Sequence, residues 1–405
     1  MPASSRAPRI SNSAKNVTRN GKRKSDDPRA GRNGSRPNDD GDKGSKGVIA
    51  RSRCGNQQHR QGRRPHHFAS RSRYRSAAAV LAALGVFALA GISTAQEMRF
   101  FRIGTGSTAG TYYPVGALIA SAISNPPGSR ACESGGSCGV PGLIASAMTT
   151  RGSIANIEAI SSGDLESGLA QSDLVQSAVS GLGVFAARGY RPKIRVIANL
   201  YPESLHLVVR KAAGIASVAD LKGHRISLDA IGSGTRVNAQ IVLSVYGVRE
   251  SDIDDAAVTA DRAIELLLRN EIDAFFLVAG YPAPAVTELA DKGKVTLLPI
   301  EGEAARELTN RYRFFSHDRI PAGVYLNVGE MSTISVGAQW IVNADLEDNL
   351  VYELTKSLWH PRNRQLLWSG HAKGKLLRPD TALTGVATPL HAGAERYYRE
   401  AGLLK

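Results

Sequence analysis

Cysteine is almost absent from this 405-residue chain: there are three, Cys54, Cys132 and Cys138. One close pair with no second Cys or His pair argues against a zinc set. No apolar run reaches the roughly 20 residues of a membrane helix; the longest, Ala77 to Ile92, has 16. The G-x-S-x-G, H-E-x-x-H and Gly-Lys-Ser/Thr signatures are all missing. The nine histidines are scattered, three of them in the first 75 residues. Acidic pairs such as Asp254-Asp255 sit among like charges and read as solvated. Without a nucleophile or base beside an orienting partner no catalytic set assembles, so an enzyme is not expected, nor a metal or other cofactor.

Acidic residues are also scarce at the N-terminus. Residues 1–75 hold 20 of the 51 basic and 5 of the 36 acidic residues, which is the whole net charge of +15; the remainder holds 31 of each. This Gly/Ser/Asn/Arg-rich segment cannot bury a core and is expected to be a disordered basic tail, or a mis-assigned start. A nucleic-acid arm is the sharper reading of such a tail, but the adjoining segment points to export. Arg71, Arg73 and Arg75 precede the apolar run, and Ser93-Thr94-Ala95 closes it with small residues. Residues 76–95 therefore read as a signal peptide cleaved after Ala95. The mature chain, 96–405, has the length of two lobes. Cys132 and Cys138 enclose five Gly/Ser-rich residues and can form a small disulfide loop in an oxidising compartment. Two free thiols or half a metal site are the alternatives to the disulfide, which is the expected state.

The body alternates strand and helix patterns: strands at Ile194–Leu200, Leu205–Val209, Arg225–Asp229, Ile272–Val278, Val295–Ile300 and Thr333–Val342. Helices are expected from Ser217 to Gly223, Arg236–Tyr246, Arg262–Arg269, Pro282–Asp291 and Leu346–Trp359. Such alternation predicts α/β layers. The stretch GTGSTAGTYYP, Gly104 to Pro114, lies where a strand hands over to a helix. Its glycines are one residue too widely spaced for a dinucleotide fingerprint, and the following region is a loop. Bare backbone N–H groups at such a turn favour an anion. Thr111 is placed to cap the helix. Tyr112 and Tyr113 differ in direction by about 100°, so only one can face a ligand. Four further stretches share this character: Ser153 with Asn156, Gln171-Ser172-Asp173, Ser233-Gly234-Thr235-Arg236, and Ala279 to Pro282. Ligands of open α/β sheets bind at such strand ends. Two anion-favouring helix starts in different lobes suggest a carboxylate held from both sides. Arg236 can pair with a carboxylate or be a solvated helix residue. His206, inside a strand, can be a structural histidine.

Taken as a set, the segments FRIGTGSTAGTYYPVGALIASAI, GSIANIEAI, SGDLESGLAQSDL, IANLYPESLHLVVRKAAGI, SVADLKGHRISLDAIGSGTRV, DAFFLVAGYPAPAVTELA and HAGAERYYREAG resemble the TAXI solute receptors of TRAP transporters, over roughly Met98 to Gly402. The resemblance implies a type II periplasmic-binding fold, two α/β lobes around a ligand cleft, with 96–203 and 331–405 as lobe 1 and 204–330 as lobe 2. It implies a periplasmic monomer that binds a small carboxylate or amino acid, glutamate, glutamine or oxoglutarate in kind, and passes it to a TRAP-type membrane permease, with no nucleic-acid partner. The runner-up is a stand-alone exported sensor of the same fold facing a membrane receptor. Carried over, the ligand residues are Gly106, Ser107, Thr111, Tyr112, Tyr113, Ser153, Asn156, Gln171, Ser172, Ser233, Gly234 and Thr235, with His206 and Arg236 beside them. The chain departs from the family pattern in its long tail and in the insert Pro126 to Thr150, which interrupts the strand expected before Arg151.

Overall fold

The computed structural model describes residues 97–405. The basic tail and the signal segment with its cleavage site lie outside the described residues. No helix among the described residues is long and apolar enough to cross a membrane.

Strand β1 (Arg99–Gly104) buries Phe101 and Ile103 and leaves Phe100 exposed, the period of a strand with one face on a core. The glycine-rich turn then enters helix α1 (Tyr112–Ile123), which buries Val115, Ile119, Ala122 and Ile123 on one face. Strand β2 (Leu143–Met148) and strand β3 (Ser167–Gln171) flank β1 in parallel. Helix α2 (Ser153–Ser162) joins them, and helix α3 (Ser172–Ser180) follows β3 directly.

The chain then runs through strand β4, 17 residues from Ile194 to Arg210. Sequence reasoning expects two strands here. They are one because Tyr201 to Ser204 stays extended and keeps pairing; Pro202, which cannot donate to a ladder, is exposed and lies opposite Gly337. Beyond it come β5 (Arg225–Ser227), α4 (Gly234–Val245), β6 (Asp254–Asp255), α5 (Ala260–Leu268), β7 (Ala274–Ala279), α6 (Pro284–Asp291), β8 (Val295–Leu298), α7 (Gly302–Arg311) and β9 (Ser316–Ile320). Strand β10 (Met331–Asn343) returns, and helices α8 (Asp348–Leu358) and α9 (Ala392–Glu400) close the chain.

The strand order is β2-β1-β3-β10-β4 on one side and β6-β5-β7-β4-β8 on the other. In both, three parallel strands are followed by one antiparallel strand and then a fifth on its far side. This repeated order, with the long strands shared, is the type II periplasmic-binding fold. The shared strands pair with each other where they cross: Tyr201 faces Ala338, Pro202 faces Gly337 and Glu203 faces Val336. Beyond that point β4 pairs with β7 and β8, while Met331–Ser335 of β10 pairs with β9. Each side has its own apolar core, one around Phe101, Ile119, Trp340 and Tyr398, the other around Leu207, Leu243, Phe276 and Ile334.

Several expected boundaries shift for local reasons. The Ser217 segment is a 3-10 turn, Val218–Leu221, held by a Ser217–Asp220 capping box and too short for an α-helix. Pro284, not Pro282, is the proline in the first turn of α6. The strand expected before Arg151 is β2, which starts only after the insert's loop has closed. Inside that loop Cys132 and Cys138 are joined by a disulfide, with Cα atoms 4.7 Å apart.

Candidate functional site

Five helix N-termini converge between the lobes. Those of α1, α2 and α3 come from the first lobe, and those of α4 and α5 from the second. Residues at or beside all five line one cavity of about 50 Å³. Each unpaired first turn presents N–H groups and the positive end of a dipole. The lobes touch around it. The Ala155 N–H donates to the Gly232 carbonyl at 3.2 Å, and the Ala285 N–H to the Ala109 carbonyl at 3.0 Å. Asn238 Nδ2 donates to Asp173 Oδ2 at 2.9 Å.

Of the residues singled out from sequence, Gly106, Ser107, Thr111, Tyr112, Ser153 and Gln171 line this cavity from one lobe. Ser233, Gly234 and Thr235 line it from the other. Their roles differ from those expected. The Thr111 hydroxyl does not cap its own helix; it donates to the Gly280 carbonyl across the cleft. The Ser107 hydroxyl is given to Asp261, in the first turn of α5. Burial pushes Asp261 up, but hydrogen bonds from Ser107, the Ala109 N–H, Thr259 and Thr108 hold it below the usual carboxylate range. Ser153 Oγ accepts from the Gln171 N–H at 3.1 Å. Ser233 caps α4, its Oγ accepting from the Arg236 N–H at 3.1 Å. Thr235 Oγ1 accepts from the Val278 N–H at 3.0 Å. Gly234 is the tightest point: a Cβ there would stand 2.3 Å from Gln171 Oε1 and 2.9 Å from Ser153 Oγ, atoms of the opposite lobe. At Gly106 a Cβ would meet only the Tyr112 side chain, at 3.7 Å.

Five of the expected ligand residues point elsewhere. Tyr113 does not line the cavity; as the 100° turn requires, Tyr112 takes that position alone. Asn156 is fully buried beneath the opening loop, where Nδ2 donates to the Thr105 and Leu169 carbonyls at 2.7 and 2.8 Å. It buttresses the loop from beneath. Ser172 Oγ accepts from the Gly337 N–H at 3.2 Å, at the strand crossing. His206 is fully buried, with Nε2 2.9 Å from the Tyr325 hydroxyl and Nδ1 2.9 Å from the Ser204 carbonyl. Burial lowers it to about 4, so it is a neutral structural histidine. Arg236 pairs with Asp255 and Glu250, each at 2.6 Å, and pins α4 to its own lobe.

Other lining residues escape sequence reasoning. Asp229, two residues past the end of β5, has φ of 81° and lines the cavity. Burial pushes its carboxyl up to about 7, against hydrogen bonds from the Ala230 N–H, Ser233 and Thr235. Its signal was present, since a polar residue between a buried strand and a glycine turn stands where ligands bind. Thr259 and Ala260 enter through α5, and Thr150 to Gly152 through the turn before α2. Burial also raises Asp173 to about 6, while Asn238 partly offsets it.

The site residues thus combine oriented backbone donors with carboxyl and amide acceptors, a set suited to holding a small polar solute.

Comparisons with solved structures give low identities. The chain is 14% identical to PhnD1 from Prochlorococcus marinus in complex with methylphosphonate, over 75% of this chain and 99% of that one, with a TM-score of 0.44. It is 16% identical to the alkanesulfonate-binding protein SsuA from Xanthomonas axonopodis pv. citri bound to MOPS, over 77% and 82%, with a TM-score of 0.37. An ancestral arginine-binding protein bound to arginine matches at 15%, over 67% and 99%, with a TM-score of 0.40. At family level, residues 103–402 match the NMT1-like family.

Proposed function

The chain belongs to the NMT1-like family, and from that premise we propose that it is an extracytoplasmic solute receptor that binds a small carboxylate or amino acid. The observation that carries this reading is the convergence of five helix N-termini, from two lobes joined by two strands, on one cavity. Helix starts of this kind favour a negative group by about 0.3–1 kcal/mol each near a surface and up to about 2 when partly buried. Two lobes on a strand hinge can close over the solute, so occupancy shifts the balance toward the closed form. The finer assignment is a TAXI-type receptor serving a TRAP-type permease, supported by the motif set and by the matching positions of Gly106 to Tyr112 and Ser233 to Thr235. The binding residues of this proposal are Gly106, Ser107, Thr111, Tyr112, Ser153, Gln171, Ser233, Gly234 and Thr235, joined by Asp229.

The test is a thermal-shift screen of the purified protein against small carboxylates and amino acids, followed by calorimetric titration. A saturable ligand in the micromolar range or tighter is expected. A protein whose melting responds to none of them would sink the receptor reading.

A further inference from the structure

We propose that Asp261 is a positioning residue that fastens the two lobes over the bound solute: the anion held by the tip of the opening loop is this carboxylate of the opposite lobe, not the ligand's. This rests on the receptor reading above and deepens it, because it gives part of the loop a task other than touching the ligand.

Three consecutive residues at the tip of the loop, Ser107, Thr108 and Ala109, converge on one oxygen. Oδ1 of Asp261 accepts from the Ser107 hydroxyl, from the Thr108 hydroxyl at 3.3 Å and from the Ala109 N–H at 3.2 Å, a donor shared with Ser107 Oγ at 3.1 Å. Oδ2 accepts from the Thr259 hydroxyl of its own lobe at 3.1 Å. Asp261 stands in the first turn of α5, where a helix favours a negative charge. An anion-favouring loop and an anion-favouring helix start therefore share one carboxylate. Hydrogen bonds to an ionised acceptor are roughly twice as strong as neutral ones. Asp261 is exposed, so water competes for it and the clasp is reversible.

The packing points the same way. Ala109 is 7% exposed and belongs to an apolar cluster otherwise made almost wholly of second-lobe residues, Ala260, Ala283 and Ala285 among them. Its carbonyl accepts from the Ala285 N–H at 3.0 Å. The tip of the first lobe's loop is thus seated on the second lobe by a methyl group, an N–H and a carbonyl at once. All of these contacts cross between the lobes, so they favour the closed form alone. With Ser107, Thr108 and Ala109 committed to Asp261, the ligand's negative group is left to the other helix starts on the cavity, and Ser107 serves the site through Asp261.

The experiment is a double-mutant cycle of Asp261→Ala, Ser107→Ala and the pair, read as affinity and dissociation rate. The probe is the tightest binder among the twenty protein amino acids and oxoglutarate, and circular dichroism checks each fold. Asp261→Ala should weaken the probe by about fivefold or more, chiefly through faster dissociation. The pair should bind within about twofold of Asp261→Ala alone, because the two side chains act as one. Loss of a charge from the first turn of α5 would by itself lower the melting temperature without coupling to Ser107. Losses that add show that Ser107 meets the probe directly and overturn the inference. So does an unchanged or tighter affinity in a folded Asp261→Ala protein. If the alanine variant fails to fold, Asp261→Asn, which keeps one acceptor but no charge, takes its place in the cycle; a loss of about twofold or more is then expected, and none overturns the inference. These results leave the receptor reading standing. Binding by no member of the probe set overturns that reading, and this inference with it.

Discussion

Asp229 sits in the left-handed backbone region, which Asp and Asn tolerate better than most residues. Its side chain is turned to the cavity, where burial raises it to about 7 from an ordinary 3.8. An acid whose folded pKa is raised binds more protons in the folded state than in the unfolded one between those values. Its contribution to stability is complete below about 3.8 and is lost as pH climbs through about 7. Asp229→Asn removes that loss. The unliganded variant should be more stable than wild type by about 1–3 kcal/mol at pH 8 and by under about 1 kcal/mol at pH 5; denaturant melts at the two values check this, and equal gains would show that the carboxyl is solvated. The same residue shows what sequence alone leaves hidden. Asp229 reads only as the end of a strand, because nothing local says which way a side chain points or what the other lobe places against it. Arg236, His206 and Asn156 fail in the opposite sense. Each has the right chemistry beside the right motif, but Asp255, Tyr325 and the Thr105 carbonyl, all remote in sequence, had already claimed them.

At the level of elements, the strand-to-helix turns were legible, because glycine, a small polar cap and an apolar period coincide at Gly104–Thr111 and Ser233–Thr235. The segment from Gly302 to Ile320 was not. Helix α7 has a weak apolar face, burying only Ala305 and Leu308, and β9 is mostly exposed. Which glycine matters was also illegible, because it depends on how near the opposing lobe comes. Gly234→Ala would drive a methyl into Gln171 and Ser153 across the cleft and should hold the lobes apart. Affinity for the best ligand should fall at least tenfold, about 1.4 kcal/mol, while the melting temperature of the free protein changes little. Gly106→Ala finds ordinary contact distance and should cost less. Titration of both variants with the same ligand checks the order, and a larger loss at Gly106 would mean that the opening loop is the closer approach.

For the whole molecule, the α/β class was readable from alternating patterns and the two-lobe plan from the family resemblance, but the continuity of β4 through its proline was not. The disulfide loop of the insert lies apart from the cleft-lining residues. A ring of seven residues restricts the unfolded chain less than the roughly 3 kcal/mol of a 15-residue loop. Reduction should therefore lower stability by less than that and leave ligand affinity unchanged, as paired melts and titrations with and without a phosphine reductant will show. The shared strands bear on how the protein comes into being. The five strands β6-β5-β7-β4-β8 lie in one unbroken span, Ile194 to Leu298, so most of the second lobe's sheet can form while the chain is still emerging, before β9 and the start of β10. The first lobe's sheet keeps a gap between β3 and β4 until Met331–Asn343 arrives. The lobe begun first is thus the one finished last, and a nascent chain halted before Met331 would hold one sheet short only of its β9–β10 edge and one still open for a central strand.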